Sequence, residues 1–320
     1  MQYYILFLTL KYDNMQNHIA LIRHRYLNIQ EYITLIRPKH WIKNLFIILP
    51  FFFGQQLHQL KNLEIYLVIL AMCFMASAVY ILNDWKDIEK DKIHPTKRSR
   101  PLASNSIKLH TAFILFFLLV ITALSIGFYF NKTIGFLLLF YFVLNVCYSL
   151  KLKDFAIIDI TIISIGFVIR IFIGGVAGNI TISKWFVLMV YLLSLVLALG
   201  KRRDDLILQG KNESDSLLFR KSLNGYNVEF INFSVSSLSV IAIVCYIMYT
   251  FSYDLINRVH SEYIYLTIFP VIMGFIRYFQ VIYVNNNTGS PTKLILSDGQ
   301  LQFWVALWII SYTILTSIPF

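Results

Sequence analysis

"NDWKDIEKDKIHPTKRSRP", residues 83–101, follows a run of some twenty apolar residues that ends at Leu82. A helix rising about 1.5 Å per residue needs about twenty residues to cross the roughly 30 Å apolar core of a bilayer. The junction therefore reads as the end of a membrane-spanning helix, with Asp84, Asp87, Glu89 and Asp91 and then a crowd of cations gathered at the membrane edge.

The same template applied along the chain predicts about nine spans, near 42–60, 64–83, 111–130, 133–150, 156–177, 183–200, 230–251, 262–283 and 300–318. Composition agrees: 58% of the 320 residues are hydrophobic and 14% charged, with a mean hydropathy of +0.64. These values lie outside the soluble globular range and predict an all-α, polytopic membrane protein.

Placing the N-terminus in the cytoplasm puts the connections near 84–110, 151–155, 201–229 and 284–299 on that side, with most of the 28 Lys and Arg. The external connections keep only Lys61, Lys132, Lys184 and Arg258, as the positive-inside bias requires. That placement also accounts for most of the net charge of +11. No nucleic-acid partner is expected, because no aromatic-basic interleaving accompanies the cations.

The opening MQYYILFLTL has no basic region before its apolar stretch and no small-residue cleavage site, so a cleaved signal is not expected, and Met15 is an alternative start. Cys73, Cys147 and Cys245 lie in apolar runs without ligand spacing and read as core packing rather than disulfides or zinc ligands.

If the second predicted helix continues through 83–91, about 100° per residue places Asn83, Asp84, Asp87 and Asp91 within an arc of roughly 100°. Three carboxylates and an amide on one face repel one another unless a cation sits among them, and hard oxygen donors suit Mg²⁺ bridging a phosphorylated substrate. The alternative is a solvated helix end whose acids pair with Lys86, Lys90 and Lys92.

The N-D-x-x-D-x-x-x-D spacing resembles the first aspartate-rich motif of the UbiA superfamily of intramembrane prenyltransferases. Taken in order, "RPKHWIKN" at 37–44, "NDWKDIEKDKIHPTKRSRPLA" at 83–103, "YSLKLKDFAIIDI" at 148–160, "GFVIRIFIGGVA" at 166–177, "SKWF" at 183–186, "GKRRDDL" at 200–206 and "RYFQVIYVNNNTGSPTKLILSDGQL" at 277–301 resemble the decaprenyl-phosphate phosphoribosyltransferase branch. The resemblance implies a UbiA-type bundle with its active-site cavity open to the cytoplasm, Mg²⁺ as cofactor, and phosphoribosyl pyrophosphate and a polyprenyl phosphate as substrates. It further implies residence in the bacterial inner membrane. Residues 1–32 are then an N-terminal cytoplasmic segment and 33–320 a single catalytic domain; a homo-oligomer is left open.

Asp84, Asp87 and Asp91 are the expected catalytic metal ligands, with Asn83 assisting. Where ordinary members of the superfamily carry a second aspartate-rich motif, this chain has Lys201, Arg202 and Arg203 before Asp204 and Asp205. Cations reach phosphate oxygens directly, and a donor with an additional 5-phosphate fits that exchange. A topological anchor obeying the positive-inside bias is the alternative.

Lys97, Arg98 and Arg100 lie in a loop constrained by Pro95 and Pro101, placed to reach phosphates, unless the loop is merely basic. Arg170 and Asp159 stand eleven residues apart on one helical face and are expected to look into one polar pocket, with an ion pair across helices as the alternative. Tyr148 and Lys153 match residues the superfamily uses near the diphosphate, and Lys43 and Asn44 match positions at the cytoplasmic mouth. His40 and His94 read as hydrogen-bonding loop residues. The competing readings are prenyl transfer to an aromatic acceptor, which the 201–205 loop opposes, and a transporter using Arg170 and the Asp face as an ion path.

Overall fold

The structure, a computed structural model, describes residues 29–211, 221–259, 261–284, 294 and 297–317. Both candidate starts and the whole stretch 285–293 used in the resemblance lie outside the described residues. The long helices, in chain order, are α1 (Leu63–Lys86), α2 (Leu109–Phe130), α3 (Lys132–Leu150), α4 (Ile158–Ala177), α5 (Lys184–Lys211), α6 (Val228–Thr250), α7 (Ile268–Phe279) and α8 (Gly299–Ser317). No strand occurs among the described residues.

Seven helical segments among the described residues are long and apolar enough to cross a membrane: α1 to α6 and the composite Glu262–Val284. The protein is therefore a multi-pass membrane protein. The sixth predicted span is longer than expected, since α5 carries its helix past Gly200 through the basic 201–205 stretch. The composite segment joins a 3₁₀ turn (Glu262–Thr267), α7 and a π turn (Gln280–Val284). α8 is a 19-residue helix but is not one of the seven.

The span expected at 42–60 is not one helix. A 3₁₀ stretch (Pro38–Ile48) gives way to a single α turn (Leu49–Phe53) and, after a break, to a second 3₁₀ turn (Leu57–Lys61). Pro50 lacks the N–H that would continue the ladder, and Gln55 after Gly54 turns left-handed at φ 57°, so the path bends back. Gly174 of α4 makes room for it: a Cβ there would collide with the carbonyl oxygen of Ile47. Burying Leu against lipid-like Leu gains little inside a bilayer, so such close backbone approach is what holds helices together.

The chain forms two compact units, Met1–Ile42 with Cys73–Thr122, and Lys43–Met72 with Ala123–Phe320. In the first, Trp41 Nε1 donates to Ser77 Oγ at 3.0 Å, and that hydroxyl donates to the Ile36 carbonyl at 2.7 Å. His40 lies against Tyr80, with ring centroids 5.2 Å apart. Ser77 is completely buried on α1, so these bonds pin the entry segment to the half of the helix that leads to the acidic turn.

In the second unit α5 packs against α4 and α6 around Val196, Leu199, Ile231 and Val235. Several polar side chains inside are paired with each other, which satisfies them where no water is at hand. Trp308 Nε1 donates to Tyr246 Oη at 2.7 Å, which also bonds Thr267 Oγ1 at 2.6 Å. Helix starts are capped by short polar side chains: Asn131 accepts from the Thr133 N–H and Asn227 from the Phe230 N–H, both at 2.7 Å. Cys73 and Cys245 are buried as expected, whereas Cys147 is exposed on α3.

Asp298 caps α8 by accepting from the Leu301 N–H at 2.8 Å, and Arg277 clamps it with Nε at 3.1 Å and Nη2 at 2.7 Å. The bonds from Arg277 are the main cause that holds this carboxyl below its ordinary value. Asp298→Ala is expected to lower stability by about 1–2 kcal/mol, the scale of a lost cap. The contribution of the carboxylate is complete above the ordinary range near pH 4 and lost as pH falls through the lowered value. Thermal unfolding in detergent of wild type and variant, at neutral pH and near pH 3, checks both statements; equal curves at neutral pH would remove the cap from the account.

Candidate active site

The acidic face survives a break in the helix. α1 ends at Lys86, Asp87 leaves helical geometry at φ −99° and ψ 6°, and a short helix resumes over Ile88–Ile93. The ladder nevertheless carries across: the Asp87 N–H donates to Asn83 O at 3.0 Å and the Asp91 N–H to Asp87 O at 2.8 Å. Asp84 and Asp91 thus remain on one side, while Asn83 and Asp87 are half-buried beside them.

Both carboxylates converge on one cation. Arg100 Nη1 donates to Asp84 Oδ1 at 3.0 Å and to Asp91 Oδ2 at 2.6 Å, and Arg37 donates to Asp84 Oδ1 as well. Asp84 is 2% and Asp91 4% exposed, which excludes a solvated helix end. Of the expected pairings with neighbouring lysines, Lys92 meets Glu89, which lies off the acidic face, at 2.8 Å. Arg37, which precedes "PKHWIKN" and turns the backbone left-handed at φ 53°, was not singled out from the sequence. Its position at the head of the first motif is the signal that marks it.

Among the described residues no three His, Cys, Asp or Glu side chains already stand close enough together to hold a metal. The donor set nevertheless fits Mg²⁺: hard carboxylate oxygens converge on a point that a guanidinium fills, and Asp84 Oδ2 is buried without a hydrogen-bond partner. A buried carboxylate oxygen without a donor is costly, and a cation satisfies it.

The loop that supplies Arg100 is folded on His94, whose Nδ1 accepts from the Thr96 N–H at 3.3 Å and the Lys97 N–H at 3.4 Å. An accepting ring nitrogen requires neutral imidazole, and burial followed by the Lys97 charge pushes the pKa of His94 down, against a smaller opposing effect of Asp91. The histidine is thus a loop hydrogen-bonder, as the sequence predicts. Lys97 is half-buried and Arg98 exposed.

In the second unit Asp159 and Arg170 both sit on α4 and have no hydrogen-bond partner in common. Eleven residues of helix separate them by about 16 Å, and each has its own partners. Asp159, wholly buried in the first turn of α4, accepts from Arg202 Nε at 2.7 Å, Tyr226 Oη at 2.7 Å and Ser222 Oγ at 3.2 Å. Arg202 is 1% exposed and turns a second nitrogen to Asp205 Oδ2 at 3.0 Å.

Tyr226 also accepts from the N–H of Ile157 at 2.6 Å, a β-branched residue held left-handed at φ 68°. Such a conformation persists only where its surroundings over-determine it. Burial foremost, and then the bond to Asp159, push the Tyr226 hydroxyl far above the phenol range, so it remains a donor. Ser222 and Tyr226 gave no signal in the sequence, lying 63 and 67 residues from Asp159.

Arg170 donates to Asn44 Oδ1 at 2.8 Å, Gly166 O at 2.6 Å and Tyr141 Oη at 3.2 Å, and its guanidinium lies 5.0 Å from the Tyr141 ring centroid. Its partners are neutral, so its charge remains uncancelled by any ion pair among the described residues. Asn44 is buried, Lys43 and Lys201 are exposed, and Tyr148 and Lys153 are half-buried.

Comparison with known proteins follows the same outline. Residues 44–293, which draw on both units, match the model of the UbiA prenyltransferase family. The chain is 31% identical over 288 residues to decaprenyl-phosphate phosphoribosyltransferase of Mycolicibacterium smegmatis, covering 85% of this chain and 88% of that protein. The protein of the same description from Corynebacterium glutamicum is 31% identical over 279 residues, covering 85% and 82%. Among solved structures, a UbiA homolog from Archaeoglobus fulgidus bound to DMAPP and Mg²⁺ superposes with a TM-score of 0.67 at 15% identity, covering 90% of this chain and 99% of that one. A digeranylgeranylglyceryl phosphate synthase superposes with a TM-score of 0.65 at 21% identity, covering 90% and 98%. By the extent of the family match and the identity to these relatives, the chain belongs to the UbiA prenyltransferase family.

Proposed function

We propose that this protein transfers 5-phosphoribose from phosphoribosyl pyrophosphate to a polyprenyl phosphate, releasing pyrophosphate, on the cytoplasmic side of a bacterial inner membrane. The observation that carries the reading is the convergence of Asp84 and Asp91 on one cation, in a chain whose relatives are described as decaprenyl-phosphate phosphoribosyltransferases. Asp84, Asp87 and Asp91, with Asn83, would hold Mg²⁺. Bound there, the metal supplies charge neutralisation for the leaving pyrophosphate.

The chain's own cations do the rest. Lys97, Arg98 and Arg100 offer donors to phosphate oxygens from a loop already folded over the acidic turn, and Arg guanidinium can do so bidentately. Lys43, Asn44, Tyr148, Lys153, Arg170 and Lys201 are proposed as further phosphate contacts, of which Arg170 keeps an uncancelled charge. Arg202 and Asp159, sealed against each other, take the role of positioning the basic end of α5. In the reaction a polyprenyl phosphate oxygen bonds C1 of the ribose while the bond from C1 to pyrophosphate breaks. That oxygen is already an anion, so no side chain has to remove a proton.

Membranes containing the protein, given labelled phosphoribosyl pyrophosphate, Mg²⁺ and polyprenyl phosphate, are expected to form a labelled lipid that retains the 5-phosphate and to release pyrophosphate. Chelation is expected to stop the reaction. Consumption of a prenyl diphosphate with an aromatic acceptor, and no ribosylated lipid, would replace this reading with ordinary prenyl transfer.

A further inference from the structure

A wide-open cavity of about 480 Å³ lies beside the basic end of α5, lined by Arg203, Asn232, Phe233, Ser236 and Tyr283. Of its lining residues only Arg203 belongs to the basic stretch that the sequence offered as a phosphate contact, and none is among the residues assigned to the transfer reaction above. Its volume lies within the range of small-molecule sites, and its lining is polar at one end and apolar at the other.

Arg203 forms the polar end. It is 6% exposed, so its charge is largely withdrawn from water. Its Nε donates to Asn232 Oδ1 at 2.9 Å, and its guanidinium lies 5.9 Å from the Tyr283 ring centroid. Neither Nη has a hydrogen-bond partner among the described residues, and no carboxylate forms an ion pair with it there, although Asp204 follows it in sequence. The four Nη donors open onto the cavity, where an anion would complete them and add to the partial compensation from the adjacent Asp204.

The other walls are shaped for an oxygen-rich group. Tyr283 Oη is 3.2 Å from Ser236 Oγ and donates to the Asn232 carbonyl at 3.0 Å, so hydroxyl and amide groups surround the cation. Tyr283 reaches this place because the backbone over Gln280–Val284 winds as a π turn, a distortion that inserts a residue and is common at functional sites. Phe233, 75% exposed on α6, stands at the mouth. On a membrane-spanning helix such exposure faces acyl chains.

The geometry points to a site for the phosphate of an anionic lipid, with the headgroup at Arg203 and the chain running out past Phe233. Basic pockets between membrane helices bind lipid headgroups in this way. The phosphate has two sources in a membrane: a bulk phospholipid such as phosphatidylglycerol, or the polyprenyl phosphate acceptor. In either case the tail is part of the ligand, because a bare phosphate would leave the apolar mouth unfilled. The inference stands apart from the phosphoribosyl reading, since occupancy is read by mass and not by turnover.

Native mass spectrometry of the delipidated full-length protein, titrated separately with phosphatidylglycerol, polyprenyl phosphate and inorganic phosphate, tests it. One lipid per wild-type chain is expected, with affinity lowered about tenfold or more in Arg203→Gln. Ser236→Trp, which narrows the cavity beside Arg203 and keeps the cation, is expected to lower it likewise and covers the case in which Arg203→Gln does not fold. Dependence on these residues for phosphatidylglycerol alone names the bulk lipid, and for polyprenyl phosphate alone the acceptor; either supports the site. Unchanged lipid binding in both variants, or inorganic phosphate competing as well as the lipids do, would overturn it.

Discussion

Asp84→Ala is expected to lower the rate of transfer by at least about 10²-fold at saturating Mg²⁺, the scale of losing one preorganised charge at a developing anion. The protein is expected to remain folded. Arg100 keeps Asp91 at 2.6 Å, and Arg37 is 16% exposed and can turn to water. Asp91→Ala is expected to behave similarly, because it removes the second oxygen donor from the same point. Near-normal turnover in both variants would take the metal away from this face.

A readout independent of turnover accompanies it. A ligand that binds only the folded state raises the unfolding temperature with its concentration. Mg²⁺ is expected to stabilise the wild type and to lose that effect in Asp84→Ala. In Arg100→Gln the effect is expected to grow, since the two carboxylates then face each other with one cation fewer, and metal relieves the repulsion. Equal stabilisation in all three proteins would assign the metal elsewhere.

The second large effect falls on stability. Arg202→Ala leaves Asp159 wholly buried without its charge partner, and breaking a buried pair in this way costs about 3–5 kcal/mol. Asp159→Ala is expected to do the same to Arg202, and in addition to release Tyr226, whose hydroxyl holds the strained start of α4. The double variant Arg202→Met with Asp159→Leu is expected to recover much of the loss, because neither charge is then left alone. Unfolding temperatures of the two single variants and the double variant measure the coupling. If Arg202→Ala leaves the unfolding temperature unchanged and raises KM for the phosphoribosyl donor, Arg202 touches substrate instead.

Residue spacing alone brought out the membrane class, most of the spans and the acidic face. Twenty apolar residues have one low-energy solution in lipid, a helix that satisfies its own backbone. The period of that helix places Asp84 and Asp91 together whether or not it is interrupted at Asp87. The broken first segment was also written locally, in Pro50 and the Gly54–Gln55 turn, although its apolar composition outweighed those signals in a count of spans.

Only the tertiary structure decided which cation answers which acid. Arg37 reaches Asp84 across 47 residues, Arg202 reaches Asp159 across 43, and Arg170 finds Asn44 across 126. Helical periodicity orients a side chain about its own axis but carries no information on the neighbouring helix that it meets. Asp159 and Arg170 therefore share a face in sequence and have separate partners in space. The adjacent Arg202 and Arg203 differ for the same reason: about 100° of rotation turns one onto a buried carboxylate and the other onto a cavity, and packing alone settled which.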